Sequence, residues 1–392
     1  MTDATTNHGA APAWLARAQA QGWLPADAAQ GGDVEPSPLL TALVLVGAVF
    51  CSAPLLAFLG LGLSEALLET AAGYAAGALA MAGALWWLRS SRHIFATCMG
   101  LELWVLGLAL VLVRWLDDWH GADAASFAAC AIVSAALLGS ALLIPALWVG
   151  RLMGLALAPA IVATLLTGLM AAGLSERVLL ALSPLMLPLV ALAWAWWCWR
   201  EARWLGQPQA ARRAALADGF AIGMLVCAVW SGSFVELSMR EGWLGRGLGE
   251  AVAWRWVYLL PHGLAVPLVL ASGWALARRW SAQQGTAAGR WKPLLALACA
   301  ALALVAWFSP AVATVALVAA TAAATARWRL LVTCGLAALW LLASFYYSLA
   351  WTLAAKGLGL ALLGAALVLG LLALRARGGP ASVAHPAAAG SR

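Results

Sequence analysis

Apolar stretches recur along the chain at spacings close to the length of a membrane-crossing helix. They fall at 39–62, 66–88, 94–116, 125–149, 151–173, 178–199, 216–238, 256–276, 293–308, 310–326, 330–348 and 356–374. A helix needs about 20 apolar residues to cross roughly 30 Å of hydrocarbon. Only helices suit such segments, because a backbone amide or carbonyl without a partner is too costly in lipid. The pattern predicts an all-α fold, a polytopic transmembrane helix bundle of about 12 spans. One segment needs a decision: residues 293–326 carry no charge, and as one helix would be about 51 Å long at 1.5 Å per residue. The dipeptide Ser309-Pro310 offers a turn, and two short helices are expected there.

The basic residues orient this pattern. Arg17; Arg89 and Arg92; Arg151; Arg200, Arg203, Arg212 and Arg213; Arg278, Arg279, Arg290 and Lys292; Arg327 and Arg329; and Arg375, Arg377 and Arg392 fall in the N-terminal segment and every second loop, 17 of the 23 basic residues. The other side holds six: Arg114, Arg177, Arg240, Arg246, Arg255 and Lys356. Basic short loops stay on the cytoplasmic side, so both termini are expected inside. Reading 293–326 as a single span would degrade the split to 13 against 10. Three regions follow: a cytoplasmic N-terminal segment 1–37, one membrane domain 38–375, and a disordered cytoplasmic tail 376–392. Trp14, Leu15, Ala18, Trp23 and Leu24 form one apolar face if the first segment is a surface helix; a partly ordered lead-in fits as well. That segment lacks a basic start and an early apolar core, so the first span is expected to serve as its own insertion signal.

Composition agrees. The chain is 64% hydrophobic and 10% charged, against roughly 25% charged in soluble domains. The net charge of +7 follows from loops facing anionic headgroups, and implies the lipid bilayer as partner and no nucleic acid. The seven cysteines all lie in apolar stretches with no CxxC pair, so they read as packing residues; no metal site and no cofactor are expected.

Few residues carry chemistry. Glu102 is the carboxylate well inside a span, about 12 Å from its nearer end. A Glu at that depth is protonated, paired or water-exposed, and such groups open a functional hypothesis; Cys98 lies one turn before it. His262 sits between Pro261 and Gly263, with Pro267 beyond, in a helix expected to be kinked or locally opened. It either faces a polar cavity or caps a hydrogen-bond network. Asp218 and Glu236 lie at the two edges of their span and are expected to be solvated. Gly73 and Gly77 form a GxxxG around Tyr74, which favours close helix packing within the monomer. Tyr346, Tyr347 and Lys356 form a candidate outer-face cluster, read first as interfacial anchoring. No HExxH, GxSxG, P-loop or pair of intramembrane aspartates is present, so no catalytic residue is assigned.

The segment Phe345-Tyr346-Tyr347-x-Leu349-x-x-x-Leu353-x-x-Lys356 precedes a Gly-rich apolar helix ending at Arg375. Near the other end stand Trp14-Leu15, Gly22-Trp23-Leu24, and Ser37-Pro38 entering a span that closes with Phe58-Leu59-Gly60-Leu61-Gly62. With these two ends the chain resembles a bacterial family of multi-spanning membrane proteins, domain-of-unknown-function family 4401, over about residues 12–377. It departs from the pattern at Gly357, where the family tends to have Ser. The resemblance implies the bacterial inner membrane, with another multi-spanning protein as partner, and supplies no catalytic residue.

Three functions are compatible with these residues. They are a structural or accessory partner of another membrane protein, a small-solute or proton-coupled transporter using Glu102 and the His262 helix, and a membrane-embedded enzyme. The orientation is testable on its own. Cysteine labelling at Asp118, Glu241 and Trp351 is expected to place all three outside. Cytoplasmic labelling at all three would reverse the bundle, and at Trp351 alone would make 293–326 one span.

Overall fold

The structure is a computed structural model. It describes residues 72–118, 123–201, 209–235, 252–284 and 292–348, position 92 excepted, with isolated positions between 43 and 50 and at 207. The expected span 356–374 and, apart from those isolated positions, the span 39–62 lie outside the described residues, as do the terminal segments and the loop 240–251 with Glu236.

Among the described residues ten α-helices follow one another: α1 (Ala72–Ser90), α2 (Ile94–Asp118), α3 (Asp123–Leu143), α4 (Leu147–Ala171), α5 (Glu176–Arg200), α6 (Ala210–Trp230), α7 (Val252–Gln284), α8 (Lys292–Phe308), α9 (Ala311–Ala324) and α10 (Trp328–Ser348). No strand occurs among the described residues. Among the described residues, six helices are long and apolar enough to cross a membrane, and three shorter apolar ones follow from Leu295 onward. The protein is an all-α, polytopic membrane bundle. Prolines interrupt α4 (Pro159), α5 (Pro184, Pro188) and α7 (Pro261, Pro267) without ending them, which membrane helices tolerate when neighbours satisfy the freed groups.

Some boundaries differ from the expected spans. The division expected near 150 falls at Ile144–Ala146 instead, because Pro145 has no N–H and biases its predecessor away from helix. Arg151 therefore lies inside the first turns of α4. Helix α6 starts at Ala210 rather than 216, carrying Arg212 and Arg213 into the helix. At the other end of α4, Gly173 takes φ 86° and closes the helix, with Leu174 N–H donating to the Leu169 carbonyl, a left-handed cap that favours glycine.

The helices meet backbone to backbone at glycines. Gly77 of α1 and Gly107 of α2 face each other, so that a Cβ on either would come within 2.7 Å of the other's carbonyl oxygen. The GxxxG in α1 thus packs within the chain. Helices α4 and α6 are held more tightly, through three glycines of two further GxxxG strings. A Cβ at Gly219 would overlap the Arg151 carbonyl, one at Gly223 the Leu155 carbonyl, and one at Gly154 the Leu216 carbonyl. Residues 151 and 155 thereby match 219 and 223 in order, so α4 and α6 run parallel. Helix α5 returns beside both.

Helix α9 occupies the centre. Nine of its 14 residues are buried, from Ala311 to Ala322, and it packs against α5, α6, α7, α8 and α10. Its direction answers the question posed by 293–326. Near the start of α7, His262 touches Trp307 at the end of α8. Farther along α7, Leu276 lines a hollow with Leu317 and Thr321 late in α9. So α8 runs against α7 while α9 runs with it, and the chain reverses at Ser309-Pro310.

The glycine contacts set a stability test. Gly→Ala inside a helix ordinarily gains about 1 kcal/mol, and Gly139→Ala should behave that way, since nothing lies within 4 Å of its added Cβ. Gly219→Ala should instead lose about 1–3 kcal/mol through overpacking. Thermal or SDS-induced unfolding of the two purified variants in detergent measures the opposite signs.

Candidate functional site

Helix α2 turns Thr97, Cys98, Gly100, Trp104, Gly107 and Leu108 inward, and Gly100 and Gly107 fit against Leu88 and Gly77 of α1. Glu102 stands on this helix, one turn after the buried Cys98. Both of its carboxyl oxygens are buried, and no described residue gives either a hydrogen bond; the indole N–H of Trp104 is in the same position. A buried polar atom without a partner is the exception in folded proteins, so this part of α2 departs from the rule twice within three residues.

His262 lies elsewhere. Its Nδ1 is 2.8 Å from the carbonyl oxygen of Trp307, and since a carbonyl only accepts, the imidazole donates. Trp307 is in the last turn of α8, where carbonyls have no partner inside the helix, so His262 ties that helix end to α7. The main neighbours of α7 are α5, α8 and α9, whereas those of α2 are α1 and α3. The structure does not bring Glu102 and His262 together. Among the described residues, no group of three His, Cys, Asp or Glu side chains could hold a metal ion.

Of the third candidate, Tyr346 is half-buried in the last turn of α10. The side chain of Tyr347 and all of Lys356 lie outside the described residues. At this far end, α6 loosens into a π-turn, Ser231–Val235. There Ser233 Oγ is 3.0 Å from Ser344 Oγ and accepts from Trp340 Nε1 at 3.0 Å. The Ser309 hydroxyl is buried nearby without a partner among the described residues, 3.5 Å from where a Cβ on Gly232 would sit. On the α1–α2 pair, Asp118 accepts from the Tyr74 hydroxyl at 2.7 Å and pairs with Arg114.

A second charged cluster among the described residues, at the opposite, basic end, was not foreseen. Arg327 follows α9 and pairs with Asp218 of α6 and with Glu201 just beyond α5. Its side chain is only 13% exposed, and the two carboxylates 29% and 25%. Asp218 is therefore held in an ion cluster rather than left to solvent. Burial works against the guanidinium charge, but the carboxylates of Asp218 and Glu201 outweigh it and hold Arg327 above its ordinary range. A backbone device aims this side chain. Ala326 takes φ 56°, and the Arg327 N–H donates 2.9 Å to the Ala322 carbonyl, so a left-handed cap turns the chain back over α9. Pairs separated by 109 and 126 positions leave no spacing signal. The one available hint was Asp218 beside a basic end.

The family model described as Domain of unknown function (DUF4401) matches residues 39–376. No curated protein matches the chain, and no solved structure does.

The cluster gives a pair of opposed outcomes. Arg327→Met leaves two carboxylates without their cation and should lower stability by about 1–3 kcal/mol, less than for a fully buried pair because the carboxylates reach solvent. Ala326→Gly should raise it by roughly 1 kcal/mol, since a Cβ is disfavoured in the left-handed conformation. Equilibrium unfolding in detergent reads both.

Proposed function

We propose a function for a chain that belongs to the DUF4401 family: it is a rigid helical scaffold that works beside a second multi-spanning protein in the bacterial inner membrane. The observation that carries this reading is the interlock of α4 and α6. Three glycines of the pair lie so close to the opposing backbone that no side chain fits between them, and Arg327 bridges α9, α5 and α6 at one end. Helices meshed in this way resist the sliding by which packed elements change state. A fixed body has faces to offer. On α10, Val332, Leu336, Leu339 and Trp340 are each more than half exposed, and they recur at helical spacing as one apolar stripe.

A second reading has one observation in its favour. Both carboxyl oxygens of Glu102 are buried with no described partner, and an intramembrane carboxyl of that kind suits a proton or small-solute path.

Two measurements separate the readings. A photocrosslinker at Leu336 in native membranes is expected to join the chain to one membrane protein, whose removal lowers the chain's own abundance. Lipid adducts alone, with abundance unchanged, would overturn the scaffold. Glu102→Gln keeps a donor and an acceptor and should leave both expression and crosslinking unchanged. If that variant, normally expressed, instead loses a pH-dependent flux that the parent shows in vesicles, the transport reading replaces the first.

A further inference from the structure

We infer that a hollow at the basic end, between α5, α7 and α9, binds the phosphate headgroup of an anionic phospholipid. The hollow has a volume of about 390 Å³ and is lined by Trp199, Leu276, Arg278, Arg279, Leu317 and Thr321 among others. Its two charges are both positive, and neither arginine has an ion-pair partner among the described residues.

Three features make it more than a basic surface. Thr321 is 1% exposed, and its hydroxyl has no hydrogen-bond partner among the described residues, so the wall holds a buried donor ready for an oxygen. Arg278 stacks its guanidinium over the Trp274 ring, 4.6 Å from the centroid. That stacking occupies the face of the group and fixes it, while the N–H edges stay free for the paired hydrogen bonds that phosphate accepts. The remaining wall, with Trp199, Leu276 and Leu317, is apolar apart from Ser272, whose hydroxyl donates to the Val269 carbonyl, and suits the upper part of an acyl chain. A second cavity of about 500 Å³ lies among α3, α4, α5 and α6, but its lining is apolar and indole side chains without a charge, so it selects no headgroup.

The test is native mass spectrometry of the purified full chain in detergent, titrated with phosphatidylglycerol, with phosphatidylcholine, or with inorganic phosphate. Phosphatidylglycerol is expected to be retained in preference to phosphatidylcholine. Arg278→Gln and Arg279→Gln should each weaken that retention roughly fivefold, the effect of about one basic residue at an anionic surface. Thr321→Val should weaken it too, and inorganic phosphate should not compete. Ala320→Trp fills the hollow while leaving both arginines, and should abolish the preference even if the arginine variants fail to fold. Equal retention of the two lipids, or an unchanged preference in the folded arginine variants, would overturn the site. Competition by inorganic phosphate would reassign it to the free anion. A photocrosslink from position 320 into residues 356–374, with retention unaffected by any variant, would show that the chain itself fills the hollow. None of these outcomes depends on whether the protein is a scaffold or a transporter.

Discussion

Inside a bilayer, lipid tails are as apolar as leucine, so helices gain little from hiding apolar faces against each other. What remains is close packing, interhelical hydrogen bonding and lipid entropy. The bundle depends on this constraint at α4 and α6, where Gly154, Gly219 and Gly223 let backbones approach to a distance that excludes any Cβ. Because the contact joins two parallel helices, the one between them in sequence must return alongside. That places the end of α5 beside the start of α6, where Glu201 and Asp218 converge on Arg327. The charged cluster is thus a consequence of the glycine contact.

The same constraint explains a helix that looks too short. Fourteen residues span about 21 Å, well under a hydrocarbon core of roughly 30 Å. Exposed to lipid, such a helix would leave its terminal carbonyls unsatisfied. Helix α9 is instead surrounded by protein, begins directly after the turn at Pro310, and ends in a cap where Ala326 and Arg327 cover the carbonyls of Ala323 and Ala322. A side chain is therefore not needed to close it, and Arg327 is free to reach across to two other helices.

Helix content and most boundaries were legible in the sequence, since apolar length and proline position act locally. The turn at Ser309-Pro310 is the best instance: a charge-free run of apolar residues was divided where local chemistry permits a turn. The strings Gly150-Arg-Leu-Met-Gly154 and Gly219-Phe-Ala-Ile-Gly223 carry the same signal as Gly73 and Gly77 and could have been read with it. What they could not disclose is that they face one another, because spacing defines a face and not its neighbour. The ion cluster was illegible for that reason. Asp218 alone at a helix edge resembles any solvated carboxylate, and only the crossing of α5, α6 and α9 takes it out of water. Lys356 and the side chain of Tyr347 lie outside the described residues, so the tyrosine-lysine segment stays an expectation from sequence.

The threonines of the described helices divide into two kinds. Thr164, Thr167, Thr325 and Thr333 each donate to a carbonyl of their own helix, the local solution open to any hydroxyl in a helix. Thr314 and Thr321 on α9 are buried more deeply yet have no partner among the described residues, and the same holds for the Glu102 oxygens on α2. Local helix geometry offers these threonines the same carbonyls, so their difference arises from what packs around them. Sequences that obey local rules almost everywhere tend to break them where function requires it. Here the breaks separate into two places that share no helix, a carboxyl on α2 and a line of hydroxyls on α9. A single path through the bundle would have to join them across the locked α4–α6 pair or around it. The two places are therefore separate departures from the local rule, held apart by the packing of the bundle.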